Sequence, residues 1–448
     1  MVLQKDTRED HPEQAAPRSL RPGAVVVFSA GPRVRALPLD GRELELGRNL
    51  FDDAAFGDDW LSRRHAIVAR AGTRWIVRDL DSRNGTFVDG ARVQAEVEVE
   101  GEPVVRIGRT LVLLLHDVQP FLRGDAPVAE DGVIAGATLR RALDRVARAA
   151  RFGDSVLVTG ESGSGKEVAA RMFHRAGPTP DGPFVAVNCA AIPEGIAERL
   201  LFGARKGAFS GASDAPGYIE TAAGGTLFLD EIGELDPMVQ AKLLRVLESR
   251  ELLPLGATRA RSVELRVVAA TNRDLRLAVT TGRMREDLYY RLAKREVRLP
   301  PLRGRREDIP WLVDGELARL DAALEVHAQL IEACCLRAWP GNVRELLAAV
   351  RQAGEDAVAD HQTVVLADHL GRTAGLAVRD AAAPDDAAPR PGDPPPLVRK
   401  RGAQPTREEI EAALRAHGGN MTAAARELGL HRTQLYRVSR RLGIRIDG

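Results

Sequence analysis

Between positions 23 and 115 the apolar residues come in short runs, AVVVF, RVRAL, AIVAR, WIVRDL, TFVDG and TLVLLL, parted by turns rich in Gly, Asp, Asn and Arg. Runs of this length and spacing predict a small all-β sandwich over 23–118, behind a polar tail at 1–22. From about Gly132 the pattern changes: LRRALDRVARAA has helical spacing, and SVLVTG, TLFLDE and LRVVAAT read as apolar strands set between amphipathic helices. That alternation predicts a parallel α/β sheet over 128–300. Beyond RLPPLRGRREDIP the strands cease, and the continuing helical pattern predicts a helical subdomain over 301–372. Residues 373–405 are rich in Ala, Pro and Asp without any period, the mark of a linker, and 406–448 carry a compact three-helix pattern. The expected fold class is therefore multidomain: an all-β sandwich, an α/β unit with a helical lid, and a small all-α unit.

Composition narrows this picture in three ways. The chain of 448 residues suits roughly three domains of about 150 residues each. With 64 basic against 63 acidic residues, it is no general polycation, so nucleic acid could be bound only through a local patch. Cys189, Cys334 and Cys335 form no CxxC pair and have no histidine cluster nearby, so reduced packing cysteines are expected rather than a disulfide or zinc framework. The N-terminal MVLQKDTREDHPEQAAPRSL lacks an apolar signal core, and no apolar run approaches the roughly 18 residues of a membrane span. A cytoplasmic protein without a membrane partner is the expectation.

The segment SVLVTGESGSGKEVAARMF sets Gly160, Glu161, Ser162, Gly163, Ser164, Gly165 and Lys166 between an apolar strand and an amphipathic helix. Glycines there let backbone N–H groups approach phosphate oxygens, the helix start favours an anion, and Lys166 brings a point charge to the β and γ phosphates. Glu167 stands where a Ser or Thr usually ligates magnesium, so the ion would depend on other ligands. GGTLFLDE supplies them at a strand end: Asp230 suits Mg2+ coordination and Glu231 suits polarising an attacking water. Thr271 and Asn272 end the next strand and could sense the γ-phosphate, while Arg285 and Arg291 in GRMREDLYYRL are candidate finger residues.

GESGSGKE, NCAAIPE, GAFSGA, GGTLFLDEIGEL, ATNRDL, REDLYYRL, PPLRGRREDIP and WPGNVREL, in unbroken order, resemble the AAA+ domain of bacterial enhancer-binding proteins, the ATPases that activate sigma-54 RNA polymerase. The resemblance implies a homo-oligomeric ring, usually a hexamer, with ATP between neighbours and Arg285 and Arg291 reaching the γ-phosphate bound by the next protomer. It implies that Asn188 restrains Glu231 until the ring is engaged, and that Arg344 is the sensor arginine of the lid. It also gives a role to Gly207, Ala208, Phe209, Ser210, Gly211 and Ala212, as the surface loop that contacts sigma-54 when ATP raises it. Ser210 replaces the family threonine, and Leu200 and Ala204 replace a glutamate and a histidine before the loop; Glu220 keeps the acid that links loop to nucleotide.

In the β region, Arg48, Ser62, Arg63 and Asn84 fall on loops between strands and combine cationic with hydroxyl and amide donors, a set that fits a phosphate dianion. LELGRN, LSRRHAIV, WIVRDLDSRNGTFVDGARV and VVRIGRTLVLLL resemble a forkhead-associated (FHA) domain. The resemblance implies a phosphothreonine ligand, with Arg83 as a neighbouring contact and Gly47, His65 and Gly85 shaping the loops. A sandwich used only for packing against the ATPase is the competing reading.

At the C-terminus a first helix ends at Gly418 and Gly419, a second runs from about Thr422 to Leu428, and a third begins near His431, with Ala424, Leu428, Leu435 and Val438 at core spacing. Helix, Gly turn, helix is a helix-turn-helix pattern. The third helix carries Arg432, Thr433, Gln434, Arg437, Arg440 and Arg441, which suit base reading and phosphate contact on double-stranded DNA. The stretch resembles the Fis-type domain of the same family. The combined reading is an ATP-driven activator that binds upstream DNA and remodels sigma-54 polymerase under phosphothreonine control. The alternatives are a phosphopeptide-gated DNA-binding regulator, or an AAA+ remodeller, that no longer engages sigma-54.

Overall fold

The structure, a computed structural model, describes residues 20–50, 58–124, 127–130, 132–208, 213–321, 323–376, 407 and 410–412. The first strands are β1 (Gly23–Ser29), β2 (Pro32–Pro38), β3 (Glu43–Leu46), β4 (Ala66–Ala71) and β5 (Arg74–Asp79). They are followed by β6 (Thr86–Val88), β7 (Ala91–Arg92), β8 (Glu96–Val99), β9 (Val104–Ile107) and β10 (Thr110–Leu115). Two antiparallel sheets result, one in the order β2-β1-β10-β9-β6-β7 and one in the order β3-β4-β5-β8.

A two-sheet sandwich normally alternates apolar and polar residues along each strand, because one face of each sheet meets water. β1 and β10 break that rule: every residue of both is buried. Period two divides them between two cores. Ala24, Val26, Val112 and Leu114 point inward and pack with Leu46, Trp75 and Ile107 between the sheets. Val25, Val27, Leu111 and Leu113 point outward and join a second core built with the helices at the far end of the ATPase region.

That region opens with the hairpin β11 (Val128–Glu130) and β12 (Val133–Ala135), then α1 (Ala137–Phe152), β13 (Ser155–Thr159), α2 (Lys166–Arg175), β14 (Phe184–Asn188), α3 (Ala197–Phe202) and α4 (Tyr218–Thr221). It continues through β15 (Thr226–Asp230), α5 (Pro237–Ser249), the small hairpin β16 (Glu251–Leu252) and β17 (Arg261–Ser262), β18 (Arg266–Thr271), α6 (Leu275–Thr280), α7 (Glu286–Leu292) and β19 (Glu296–Arg298). Five of these strands form a parallel sheet in the order β14-β15-β18-β13-β19. Both faces are covered, and again alternate residues serve opposite layers. Leu157, Leu227, Leu229, Val267 and Ala269 face α3, α5 and α7. Val156, Val158, Phe228, Val268 and Ala270 face α1 and α2.

The lid follows as α8 (Ile309–Leu320), β20 (Glu325–Val326), α9 (Ala328–Leu336), α10 (Asn342–Ala359) and β21 (Val364–Val365). Leu312, Val313 and Leu317 of α8, Leu330, Ile331 and Cys334 of α9, and Leu346 and Val350 of α10 make its core, which is the same core that receives the outer face of β1 and β10. All three cysteines are free and buried. Among the described residues no helix is long and apolar enough to cross a membrane. The helix-turn-helix residues Arg432, Thr433, Gln434, Arg437, Arg440 and Arg441 lie outside the described residues, as does nearly all of the linker.

Because sandwich and lid share a core, Leu113→Ala should weaken both, by about 2–5 kcal/mol. Urea unfolding followed through Trp75 alone and through Trp339 alone, each fully buried on its own side of the sheet, reads the two parts separately. Both midpoints are expected to fall together; a lid transition that stays in place would contradict the shared core.

Candidate functional site

A cavity of about 530 Å³ lies where the C-terminal ends of β13, β14 and β15 meet the lid. Its apolar end is formed by Val133, Ile134, Leu139, Val168, Leu312, Val343 and Leu347, and its polar end by residues 162–167 with Asn188, Asp230, Glu231 and Arg344. An apolar slot joined to a cationic, donor-rich pocket suits a base at one end and phosphates at the other.

The loop from Gly160 to Gly165 turns sharply enough to need glycine at two points. Gly163 has φ +72°, and a Cβ there would collide with the Gly341 carbonyl oxygen; Gly165, before the first turn of α2, has φ +105°. Lys166 is only 8% exposed, so its ammonium needs counter-charge. It finds the Glu231 carboxylate at 3.2 Å and the Gly160 carbonyl at 3.2 Å. Glu231 sits at φ +52°, a left-handed backbone that β15 reaches just past Asp230. Its second oxygen accepts from the Asn272 N–H at 3.1 Å and the Thr271 hydroxyl at 3.3 Å. One carboxylate therefore ties the loop lysine to the end of β18. Asp230 accepts from the Glu231 N–H, and burial pushes its carboxyl above the usual range although Lys166 pulls it back.

Several of the sequence-selected side chains already have other partners. Glu161 accepts from Arg303 at 2.8 and 2.6 Å, and Glu167 accepts from Arg171 on its own helix. Asn188 is the register partner of Asp230, but its side-chain oxygen caps the next turn by accepting from the Ala190 N–H at 3.0 Å. Arg344 lines the cavity and donates to the Ser162 hydroxyl at 3.3 Å. Neither Arg285 nor Arg291 lines the cavity of its own chain. Arg285 is 44% exposed and pairs with Asp287, whereas Arg291 is 14% exposed and bound to Asp154 at 2.9 Å and the Leu247 carbonyl at 3.0 Å.

Three lid contacts to the phosphate loop were not singled out in the sequence. Asn342, fully buried, donates to the Ser162 carbonyl at 2.9 Å and to Glu161 at 3.1 Å, while its own oxygen accepts from the Leu302 N–H at 2.7 Å. Arg305 donates to the Ser164 carbonyl at 2.8 Å, and Arg303 holds Glu161 as above. Burial lowers the Arg305 guanidinium and pushes its partner Asp308 up to about 7. These residues stand inside the motifs PPLRGRREDIP and WPGNVREL, the one sequence signal that could have found them.

Of the surface loop, Gly207 and Ala208 are described, and Phe209, Ser210, Gly211 and Ala212 lie outside the described residues. Its base is defined. Ala204, almost fully buried, exchanges two backbone hydrogen bonds with Ala215, and Asp214 accepts from the Lys206 N–H at 3.1 Å. Glu220 pairs with Arg261 at 2.7 Å and approaches Arg205 at 3.9 Å.

The five phosphate-type residues of the sandwich come together on neighbouring loops. Arg48 donates to the carbonyls of Leu61 and Asp59, the Arg83 N–H to the Ser62 hydroxyl, and Asn84 to the Trp60 carbonyl. Arg63 is exposed beside them, its carbonyl accepting from the Asn49 N–H. His65 pins this cluster from below. Its Nδ1 accepts from the Ser62 N–H at 3.1 Å, so Nε2 carries the proton and donates to the Gly85 carbonyl at 3.2 Å. Burial lowers the His65 pKa, and the ring is neutral at pH 7.

Comparison with known proteins agrees with this arrangement. The Sigma-54 interaction domain family matches residues 133–298, the AAA+ ATPase lid domain 303–385, the FHA domain 44–108, and the Fis family of bacterial regulatory proteins 407–438. The chain is 40% identical to the nitric oxide reductase transcription regulator NorR1 of Cupriavidus necator, over 83% of this chain and 76% of that one. To the Nif-specific regulatory protein of Azotobacter vinelandii it is 43% identical over 67% of this chain, spanning 57% of that protein. The solved structure of NtrX from Brucella abortus in complex with ATP superimposes with a TM-score of 0.50 at 28% identity, covering 70% of this chain and 69% of that one. A phosphate loop, an acidic strand end and a lid arginine on one cavity, in a chain so matched, have one family home: this protein belongs to the sigma-54-dependent bacterial enhancer-binding proteins, AAA+ ATPases that activate transcription, here with an N-terminal FHA domain and a C-terminal Fis-type DNA-binding domain.

Proposed function

We propose that this chain binds upstream DNA, assembles into a cytoplasmic hexameric ring, and uses ATP hydrolysis to remodel the closed complex of sigma-54 polymerase, under control of phosphothreonine recognised by the FHA domain. The observation that carries the motor reading is the sharing of Glu231 between Lys166 and the Asn272–Thr271 strand end. The lysine is paired with the carboxylate that has to polarise water. Phosphate oxygens in the loop compete for Lys166 and leave Glu231 free to accept a proton from the attacking water. Asn272 and Thr271 then hold the released carboxylate at the γ-phosphate end of the cavity.

Asp230 fits a hard cation: a half-buried carboxylate at a strand end, raised by burial, with one oxygen held by the Glu231 N–H. Glu167, paired with Arg171, does not turn to that position. Magnesium held by Asp230 and phosphate oxygens would neutralise charge developing on the γ-phosphate. Arg285 and Arg291 would act on the neighbouring protomer's nucleotide, and Arg285 is the more accessible of the two. In the FHA domain, Arg48, Ser62, Arg63, Arg83 and Asn84 supply charged and neutral donors to a phosphothreonine dianion. The loop Gly207–Ala212, with Phe209 at its centre, is the sigma-54 contact, and Arg432, Gln434, Arg437, Arg440 and Arg441 of the C-terminal motif read DNA.

Glu231→Gln should lower steady-state ATP hydrolysis by about 100-fold or more while leaving ATP binding intact, because it removes the base and keeps the shape. Loss of binding instead, in calorimetric titration with ATP, would assign Glu231 to the fold. Phe209→Ala should abolish promoter activation with ATPase activity and DNA binding unchanged; equal loss of ATPase activity would rule the loop out as a separate contact.

The FHA loops should also respond to pH through His65. A histidine whose folded pKa lies below 6.5 stabilises the fold fully above pH 6.5, and that contribution is lost as pH falls through the lowered value. Melting followed by Trp75 fluorescence between pH 7.5 and 5.5 should show a decline that shrinks in His65→Leu. An undiminished decline in the variant would contradict this assignment.

A further inference from the structure

The phosphopeptide loops and the ATP cavity are joined through one buried charge pair. Arg83, Asn84 and Gly85 run without a break into β6, whose Phe87 is the register partner of Arg106 on β9. The Arg106 guanidinium stacks on the Phe87 ring at 3.8 Å, and its Nε donates to Glu332 of α9 at 2.6 Å. Both charged side chains are almost wholly buried beside the apolar core that sandwich and lid share, while Arg306 donates to the Glu102 carbonyl at the exposed rim of the same contact. From Glu332 the path to the phosphate loop is short and buried. The Cys334 carbonyl accepts from the Trp339 indole at 2.7 Å, the Trp339 carbonyl accepts from the Asn342 N–H at 2.8 Å, and Asn342 donates to the Ser162 carbonyl. Val343 adds a backbone hydrogen bond to the Gly163 carbonyl at 3.3 Å.

Packing alone gives no reason for this pair. Well-packed apolar side chains of similar volume would hold two surfaces together at least as firmly, since removing both charges from water costs more than their attraction returns in most buried sites. A buried ion pair does fix orientation, because only one relative placement satisfies it. Here the satisfaction is incomplete: Glu332 Oε1 is buried without a hydrogen-bond partner. A half-satisfied buried carboxylate is a reservoir of free energy that a small shift of β9 against α9 can raise or relieve.

We propose that Arg106 and Glu332 are positioning residues for ATP use, setting the posture of the lid over the phosphate loop, and that occupancy of the FHA loops reaches the cavity through them. The second half rests on the phosphopeptide reading of the FHA domain; the first does not. Neither residue touches nucleotide or peptide. Each acts through the element that carries it, β9 through β6 and α9 through Trp339 and Asn342. Linkage then requires that a phosphopeptide which changes ATP affinity has its own affinity changed by ATP by the same factor.

The test compares the full chain with the double variant Arg106→Met/Glu332→Met, which keeps the volume and removes both charges. KM and kcat for ATP are measured alone, with a degenerate phosphothreonine peptide pool, and with the same pool unphosphorylated. The variant is expected to melt at or above the wild-type temperature, yet to show a KM for ATP displaced at least about threefold and no response to the phosphorylated pool. A stable variant with wild-type KM and an undiminished response would overturn the proposal. Arg106→Lys, which keeps the charge but gives up the plane stacked on Phe87, supplies a second reading should the double variant fail to fold. It should retain the wild-type KM and lose the peptide response, and a full response would count against the joint. If the wild-type chain does not bind the phosphorylated pool at all, the phosphopeptide reading fails, and the KM displacement alone decides the role of the pair.

Discussion

A nearly buried ammonium group must have a counter-charge within reach, and the fate of the Lys166 charge organises the ATPase half of this protein. Its partner is Glu231, held in a left-handed conformation just past the end of β15. The Asn272 N–H and the Thr271 hydroxyl steady the second oxygen of that carboxylate from β18. The parallel sheet therefore serves the site directly: β13, β15 and β18 are hydrogen-bonded neighbours, and their C-terminal ends deliver the lysine loop, the acidic pair and the sensor pair to one place. Asp230 lies beside them, and burial raises its carboxyl even though Lys166 and, more weakly, Arg344 pull it down.

The lid completes this site and also forms the wall on which the FHA domain is built. Asn342, Arg305 and Arg344 grip the phosphate loop from one side, while the outward residues of β1 and β10 fill the lid core from the other. Packing of this kind makes the FHA domain a structural extension of the lid. The same lid therefore packs against the sandwich on one side and holds the phosphate loop on the other.

Much of this was legible in the sequence because it is local. AVVVF and TLVLLL read as strands, the glycine loop read as a phosphate site, and the acidic strand end was found by its position. The sandwich expectation did not include burial of β1 and β10 on both faces, because nothing local says what covers the outer one. The rest was hidden because its partners are distant in the chain. Arg291 meets Asp154 across 137 residues, Asn342 meets Ser162 across 180, and Arg106 meets Glu332 across 226. In sequence Asn342 is a polar residue at the start of a helix, and Arg106 is a lone charge inside VVRIG; only the fold gives either a partner. Asn188 is a different case, since the contact its side chain makes is local, a cap on the turn that follows it.

The most direct test of the central claim is open-complex formation by purified sigma-54 holoenzyme in the presence of this protein. The assay is run with and without ATP, and with and without the phosphothreonine peptide pool. The expected result is heparin-resistant open complexes that require ATP and change in yield when the phosphorylated pool is present. No open complexes under any of these conditions, from protein that is folded and hydrolyses ATP, would contradict it.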